Sequence, residues 1–265
     1  MITSKENQLV KYIKSLSQKK YRDLNHEYIV EGYKMVKEAI EASENISKIV
    51  ICEDLFSNVL EEDSYFKKLL ASNSEKIEYV SEKVFEYISD TMSPQGILAV
   101  VKERESSNDS YSNVIFALDD LQDPGNLGTI IRTLDSAGYK DLILSKDTAD
   151  SYNPKVVRST MGAIFRLNIH RKFSLKEELQ SLKSQGYKIV VTDLNTDKYY
   201  YDLDFEDKLV IIIGNESKGV SEEIKALADL KVIIPMVGKT ESLNAAVATS
   251  IIAYEGVRQK FATKK

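Results

Sequence analysis

The chain has 265 residues, with 36 basic against 41 acidic side chains, 43% hydrophobic residues and a single cysteine, Cys52. These proportions exclude bulk disorder, an internal disulfide framework and a cysteine-cluster metal site, and the length suits about two domains. No apolar run nears the ~20 residues of a membrane span and no signal-like stretch opens the chain, so a soluble cytoplasmic protein is the expectation. The net charge of −5 argues mildly against a general nucleic-acid coat protein but is silent about local patches.

Residues 4–17 place Leu9, Val10, Ile13 and Leu16 at helical spacing, and residues 31–43 repeat the pattern with Tyr33, Val36 and Ile40. Short β-branched runs at 46–51, 77–80 and 97–101 predict strands, so the first part reads as a small α/β domain over 1–102. Residues 103–113 are polar apart from one tyrosine and predict a linker. From 114 to 265 the pattern is more regular. Strand-like runs at 114–118, 141–144, 166–169, 188–192, 209–213 and 232–234 are mostly continuous in apolar residues, which predicts a mostly parallel sheet covered on both faces. Helical patterns fall at 129–137, 175–184 and 243–259, with Gly138 and Gly186 where a C-terminal cap is expected.

Three loops carry the chemical information. In the first, Pro124-Gly125 predicts a tight turn between a strand and a helix, and Arg132 lies one helical turn beyond Gly128. It is neither a phosphate loop nor a dinucleotide fingerprint. The second runs from an apolar strand into Gly214-Asn215-Glu216-Ser217-Lys218-Gly219, where Gly214 would bring bare backbone against a ligand and Ser221 would cap the next helix. In the third, Pro235 stops a strand and a flexible loop leads to Ser242-Leu243-Asn244 and a small-residue helix, with Ser242 a candidate cap and a close neighbour implied by Ala245, Ala246, Ala248 and Ser250.

These residues resemble the SpoU/TrmH family of RNA ribose 2′-O-methyltransferases. Asn126, Gly128 and Arg132 match N-x-G-x-x-x-R; Gly214, Asn215, Glu216 and Gly219 match G-N-E-x-x-G; Ile234 through Ala248 match I-P-M-x-G-x-x-x-S-L-N-x-x-x-A. The first domain resembles, more weakly, the ribosomal-protein-like RNA-binding domain that often precedes this catalytic domain. The resemblance implies an α/β fold whose C-terminal part is threaded into a trefoil knot. It also implies S-adenosylmethionine as methyl donor and a homodimer formed through the knotted domain. By motif position, Gly214, Ile234 and Leu243 would hold the donor, with Thr192, Met236 and Gly238 beside them.

The resemblance assigns the central catalytic role to Arg132, either as a base assisted by an RNA phosphate or as a cation that positions the hydroxyl. Asn126 would orient Arg132 or the ribose, Glu216 would order the pocket and pair with Arg132 or another residue, and Ser242 and Asn244 would touch substrate or fix the loop; purely structural roles stay open for these. The implied substrate is structured RNA, 23S ribosomal RNA ahead of transfer RNA. Two further readings remain: a knotted protein that binds RNA without methylating it, and a Rossmann-type methyltransferase, which the lack of an early glycine-rich fingerprint disfavours.

Two stretches run against the overall acidity. Residues 151–176 hold Lys155, Arg158, Arg166, Arg171, Lys172 and Lys176 with no acid, and residues 1–22 hold six basic residues, among them Lys19, Lys20 and Arg22, against Glu6 alone. Both predict phosphate contacts, with Lys19, Lys20, Arg22, Lys155, Arg158 and Arg166 as candidates. His26 and His170 lack ligand spacing, so no metal is expected, and Cys52 reads as a core residue.

Overall fold

The computed structural model describes residues 1–56, 63–104 and 111–262. It divides into two compact units, residues 1–105 with 150–165, and residues 106–149 with 166–265. Of the linker expected at 103–113, residues 105–110 lie outside the described residues. Among the described residues no helix is long and apolar enough to cross a membrane.

The first unit holds helices α1 (Gln8–Ser15), α2 (Lys19–Asn25), α3 (Tyr33–Glu41), α4 (Ser64–Ala71) and α5 (Glu82–Ile88) and strands β1 (Glu27–Glu31), β2 (Ile46–Ile51), β3 (Ile77–Tyr79) and β4 (Ile97–Lys102). The sheet order is β1-β4-β2-β3, antiparallel except for β2 with β3. Asn7 caps α1 by accepting the Leu9 N–H, and the predicted apolar stripe turns Val10, Ile13 and Leu16 onto Val50, Leu98 and Val100 of the sheet. Cys52 is fully buried in this core, and burial pushes its thiol pKa up.

Residues 150–165, expected in the second domain, pack with the first unit instead. Their helix α6 (Pro154–Ser159), capped by Asn153, buries Val156 and Val157 and packs on β1, while Tyr152 stacks on Tyr28 at 4.4 Å. Arg22 secures the segment. Its guanidinium meets Asp150 at 2.5 Å and donates to the carbonyls of Leu16 and Ser17, both at 2.8 Å. Arg22 is 2% exposed, so it is withdrawn from any phosphate and the RNA contact expected of it is corrected. The acceptors it fills lie elsewhere in the fold, which composition cannot show.

The second unit holds six parallel strands in the order β10-β8-β9-β5-β6-β7. They are β5 (Val114–Leu118), β6 (Asp141–Leu144), β7 (Asn168–Arg171), β8 (Lys188–Thr192), β9 (Leu209–Ile213) and β10 (Leu230–Val232). Every residue of β5 and β9 is buried, as their unbroken apolar runs require. The helices are α7 (Pro124–Ser136), α8 (Leu175–Ser184), α9 (Glu222–Lys225) and α10 (Ala245–Ala262). Gly138 and Gly186 follow α7 and α8 at φ +83° and +89°, the left-handed geometry a C-terminal cap demands.

Local chemistry moves three expected boundaries. Strand β7 starts two residues after the expected run and β10 two residues before. Pro124 is not in a free turn: it opens α7 in its first turn, with Asp123 as cap accepting the Asn126 N–H at 2.7 Å. The small-residue face of α10 packs on α7, where Thr133 and Ser250 hydroxyls meet at 3.2 Å. A Cβ at Gly256 would stand 2.3 Å from the Tyr139 hydroxyl and 2.5 Å from the Phe205 ring.

Candidate active site

The carboxyl ends of β5, β8, β9 and β10 all feed loops at one edge of the parallel sheet, where α/β folds place ligands. After β9 the chain folds back on itself. Asn215 and Gly219 exchange both backbone hydrogen bonds, at 3.0 and 2.9 Å, and Gly219 sits at φ +69°. The Asn215 side chain accepts the Ser217 and Lys218 N–H groups and donates to the Asp120 carbonyl at 2.8 Å. A Cβ on Gly214 would lie 2.2 Å from Gly219 and Val220 backbone atoms. Glycine is required there by the loop's own backbone, a reason different from the ligand approach the sequence suggested.

Side chains from the three motif loops form one hydrogen-bonded chain. Asn244 accepts the Ala246 and Val247 N–H groups, capping α10 in place of the expected Ser242, and donates to Asn126 Oδ1 at 2.8 Å. Asn126 donates to Glu216 Oε1 at 2.9 Å, and Glu216 also accepts the Gln122 and Asp123 N–H groups at 3.2 and 3.1 Å. Partial burial opposes charge on Glu216, yet these donors hold its carboxyl below the usual glutamate range. Asp119, 6% exposed, accepts the Ser221 N–H at 2.8 Å and so ties β5 to the start of α9; Ser221 occupies the cap position but makes no side-chain cap bond. Asp119 and Asp120 were missed as supports; the adjacent acids at a strand end were the available signal, and Asp120 adopts φ +56°, a conformation that aspartate tolerates.

A cavity of about 310 Å³ opens beside this chain, lined by Thr192, Gly214, Glu216, Ile234, Met236, Ser242 and Leu243 among others. Its size and mixed apolar and main-chain walls suit a small ligand. Among the described residues the main-chain groups of Gly214, Ile234 and Leu243 make no hydrogen bond, which leaves donors and acceptors for the edge of a base. Thr192 donates to the Ile212 carbonyl at 3.0 Å and so braces the wall. Gly238 is exposed and does not line the cavity. Asp193, Asn195, Lys218 and Lys225 do line it and were missed.

Arg132 lies on α7, exposed, and its side chain makes no hydrogen bond or ion pair among the described residues. The partners expected for it are otherwise engaged, since Asn126 and Glu216 bind each other. Four of the six cations at 151–176 have acidic partners: Arg158 with Asp90 at 3.7 Å, Arg166 with Asp135 at 3.0 Å, Lys172 with Glu178 at 3.1 Å and Lys176 with Glu223 at 2.8 Å. Lys19 stands 3.9 Å from Asp23, Lys20 lies over the Tyr21 ring, and the Lys155 ammonium is exposed without a partner among the described residues. His170 pairs with Asp141 at 3.0 Å, and His26 lies 3.7 Å from Glu103.

Comparison with known proteins places these residues in context. The SpoU rRNA Methylase family model matches residues 113–254, and the MRM3-like substrate binding domain model matches residues 7–99. The chain is 32% identical over 256 residues to the 23S rRNA (guanosine(2553)-2′-O)-methyltransferase RlmP of Bacillus subtilis, covering 96% of this chain and 97% of that protein. It is 31% identical over 271 residues to a 23S rRNA (uridine(2479)-2′-O)-methyltransferase of Streptomyces viridochromogenes, covering 98% and 92%. The AdoMet-bound rRNA methyltransferase structure from Sinorhizobium meliloti superposes with a TM-score of 0.86 at 31% identity, covering 97% of each chain.

Proposed function

The chain belongs to the SpoU rRNA methylase family, and from that membership we propose that it transfers a methyl group from S-adenosylmethionine to a ribose 2′-hydroxyl of 23S ribosomal RNA. The observation that carries this reading is the Asn244–Asn126–Glu216 chain, which binds three motif loops to one another beside a cavity of ligand size. S-adenosylmethionine supplies an already activated methyl group, so the protein's task is alignment of the attacking oxygen.

Gly214, Ile234 and Leu243 offer main-chain groups to the adenine, and Met236 supplies apolar wall. The guanidinium of Arg132 is exposed and has no ion-pair partner among the described residues, so its donors are available to RNA. Arg132 therefore acts as a fork of donors that aligns the ribose hydroxyl and its neighbouring phosphate. Asn126, Glu216 and Asn244 act through the loops they fix and are positioning residues. Ser242, exposed at the cavity wall, faces substrate. The 214–219 and 234–244 loops with α10 form the trefoil knot of the family, and the site lies in it.

Lys19, Lys20, Lys155 and Arg158 are exposed and all belong to the first unit, which makes that unit the one that grips RNA phosphates. The chain works as a homodimer through α10, where Val247, Tyr254 and Phe261, each seven residues from the next, leave an apolar stripe 47%, 49% and 66% exposed. Light scattering that reports a monomer at micromolar concentration rejects the dimer.

The test of activity is mapping of 2′-O-methyl groups in ribosomal and transfer RNA from cells with and without the gene, paired with Arg132→Ala. We expect one ribosomal site to lose its methyl group. Arg132→Ala should lose transfer while keeping S-adenosylmethionine affinity within about 2-fold, since it removes a contact made to RNA alone. Label that appears only in transfer RNA rejects the ribosomal substrate, and no label in any RNA favours a binding protein.

A further inference from the structure

The cavity wall at the end of β8 carries a carboxylate to which the roles above give nothing to do. Asp193 follows Thr192 directly, lines the cavity, and its side chain is only 6% exposed. One carboxylate oxygen accepts the Asn195 N–H at 3.0 Å and the other stands 3.3 Å from the Lys231 ammonium. Lys225, also on the cavity wall, adds a second positive charge nearby while its own hydrogen bond goes to Glu222 at 2.8 Å. A carboxylate offers about four acceptor sites, so two contacts leave Asp193 with capacity toward the cavity. The cavity's other carboxylate, Glu216, has its oxygens committed to Asn126, Gln122 and Asp123.

We propose that Asp193 accepts hydrogen bonds from the ribose diol of the methyl donor's adenosine, and so fixes that sugar against the end of β8. The assignment rests on the reading that this cavity binds S-adenosylmethionine. The donor offers Asp193 two kinds of partner, an ammonium on its amino-acid part and two hydroxyls on its ribose. Two lysines already compensate the carboxylate, so a third cation gains little and must itself be desolvated. A hydroxyl gains a charge-assisted hydrogen bond without that penalty. Carboxylate capture of a ribose hydroxyl beside a β-strand end is also a recurrent solution in nucleotide-binding α/β folds.

The experiment uses the full chain and reads binding, by competition of 5′-methylthioadenosine and its 2′,3′-dideoxy form against labelled S-adenosylmethionine. Methylthioadenosine lacks the amino-acid part, so it isolates the sugar. On the wild type the dideoxy form should bind about 10- to 100-fold more weakly. On Asp193→Asn, with its melting temperature checked, that gap should shrink several-fold, because the neutral amide accepts more weakly. Equal wild-type binding of the two forms overturns the assignment, and this arm decides even if Asp193→Asn does not fold. An undiminished gap in Asp193→Asn overturns it, as does a loss for S-adenosylmethionine alone, which would assign Asp193 to the ammonium. If the wild type retains no labelled S-adenosylmethionine, the methyl-donor reading itself falls and takes this assignment with it.

Discussion

In the first unit Asp150 meets Arg22 across 128 residues of sequence, with side chains 8% and 2% exposed; at the rim of the cavity Glu216 meets Asn126 across 90 residues, within reach of solvent. Each carboxylate joins remote segments, yet the physical consequences differ. The buried ion pair has been removed from water, so either partner left alone is a charge without compensation. Glu216 keeps part of its hydration and serves neutral donors, so its loss costs little folding energy and instead frees three loops that must agree on one geometry. One carboxylate ties segments within a unit and the other ties loops at the rim of a cavity.

The largest expected effect tests the first half of that contrast. Arg22→Ala should destabilise the chain by about 3–5 kcal/mol, read as a lower denaturant midpoint, because Asp150 would remain buried without its cation. A loss below about 1 kcal/mol would show that the pair behaves as an exposed one. Gly214→Ala comes next: the added methyl must displace backbone now 2.2 Å away, so S-adenosylmethionine affinity should fall more than about 10-fold with the loop.

Glu216→Gln sharpens the second half. It exchanges an anionic acceptor for a neutral one and should reduce transfer at least about 10-fold while changing stability by no more than about 1 kcal/mol. Equal losses in stability and in transfer would erase the distinction between the two carboxylates. The smallest effect concerns pH. The folded Glu216 carboxyl titrates below its unfolded value, so its stabilising contribution is complete above the ordinary glutamate range near about 4.3 and disappears as pH falls through the lower folded value. Wild type and Glu216→Gln should therefore converge in melting temperature only at acid pH.

Much of the second unit was legible because its signals are local. Four of its six strands lie where unbroken apolar runs put them, and α8 has the predicted bounds, since burial on both sheet faces writes itself into consecutive residues. The start of α7 was misread because Pro124-Gly125 satisfies both a turn and the first turn of a helix, and the choice lies with Asp123. Arg22 was misjudged for the opposite reason: it closes a stretch rich in lysine, while the acid it pairs with is contributed by a segment 128 residues away. The stretch at 151–176 shows the same effect, because four of its six cations find Asp90, Asp135, Glu178 and Glu223 in space.

By itself the sequence determined the α/β class, the order of the three motif loops and the residues that match the family, because periodicity and motif spacing are properties of neighbours along the chain. Only the tertiary structure decided that residues 150–165 belong with the first unit, that Glu216 serves Asn126 and two backbone N–H groups rather than Arg132, and that Asp193 stands at the cavity wall. Those outcomes depend on which polar groups lose water together, and that is settled by distance in space.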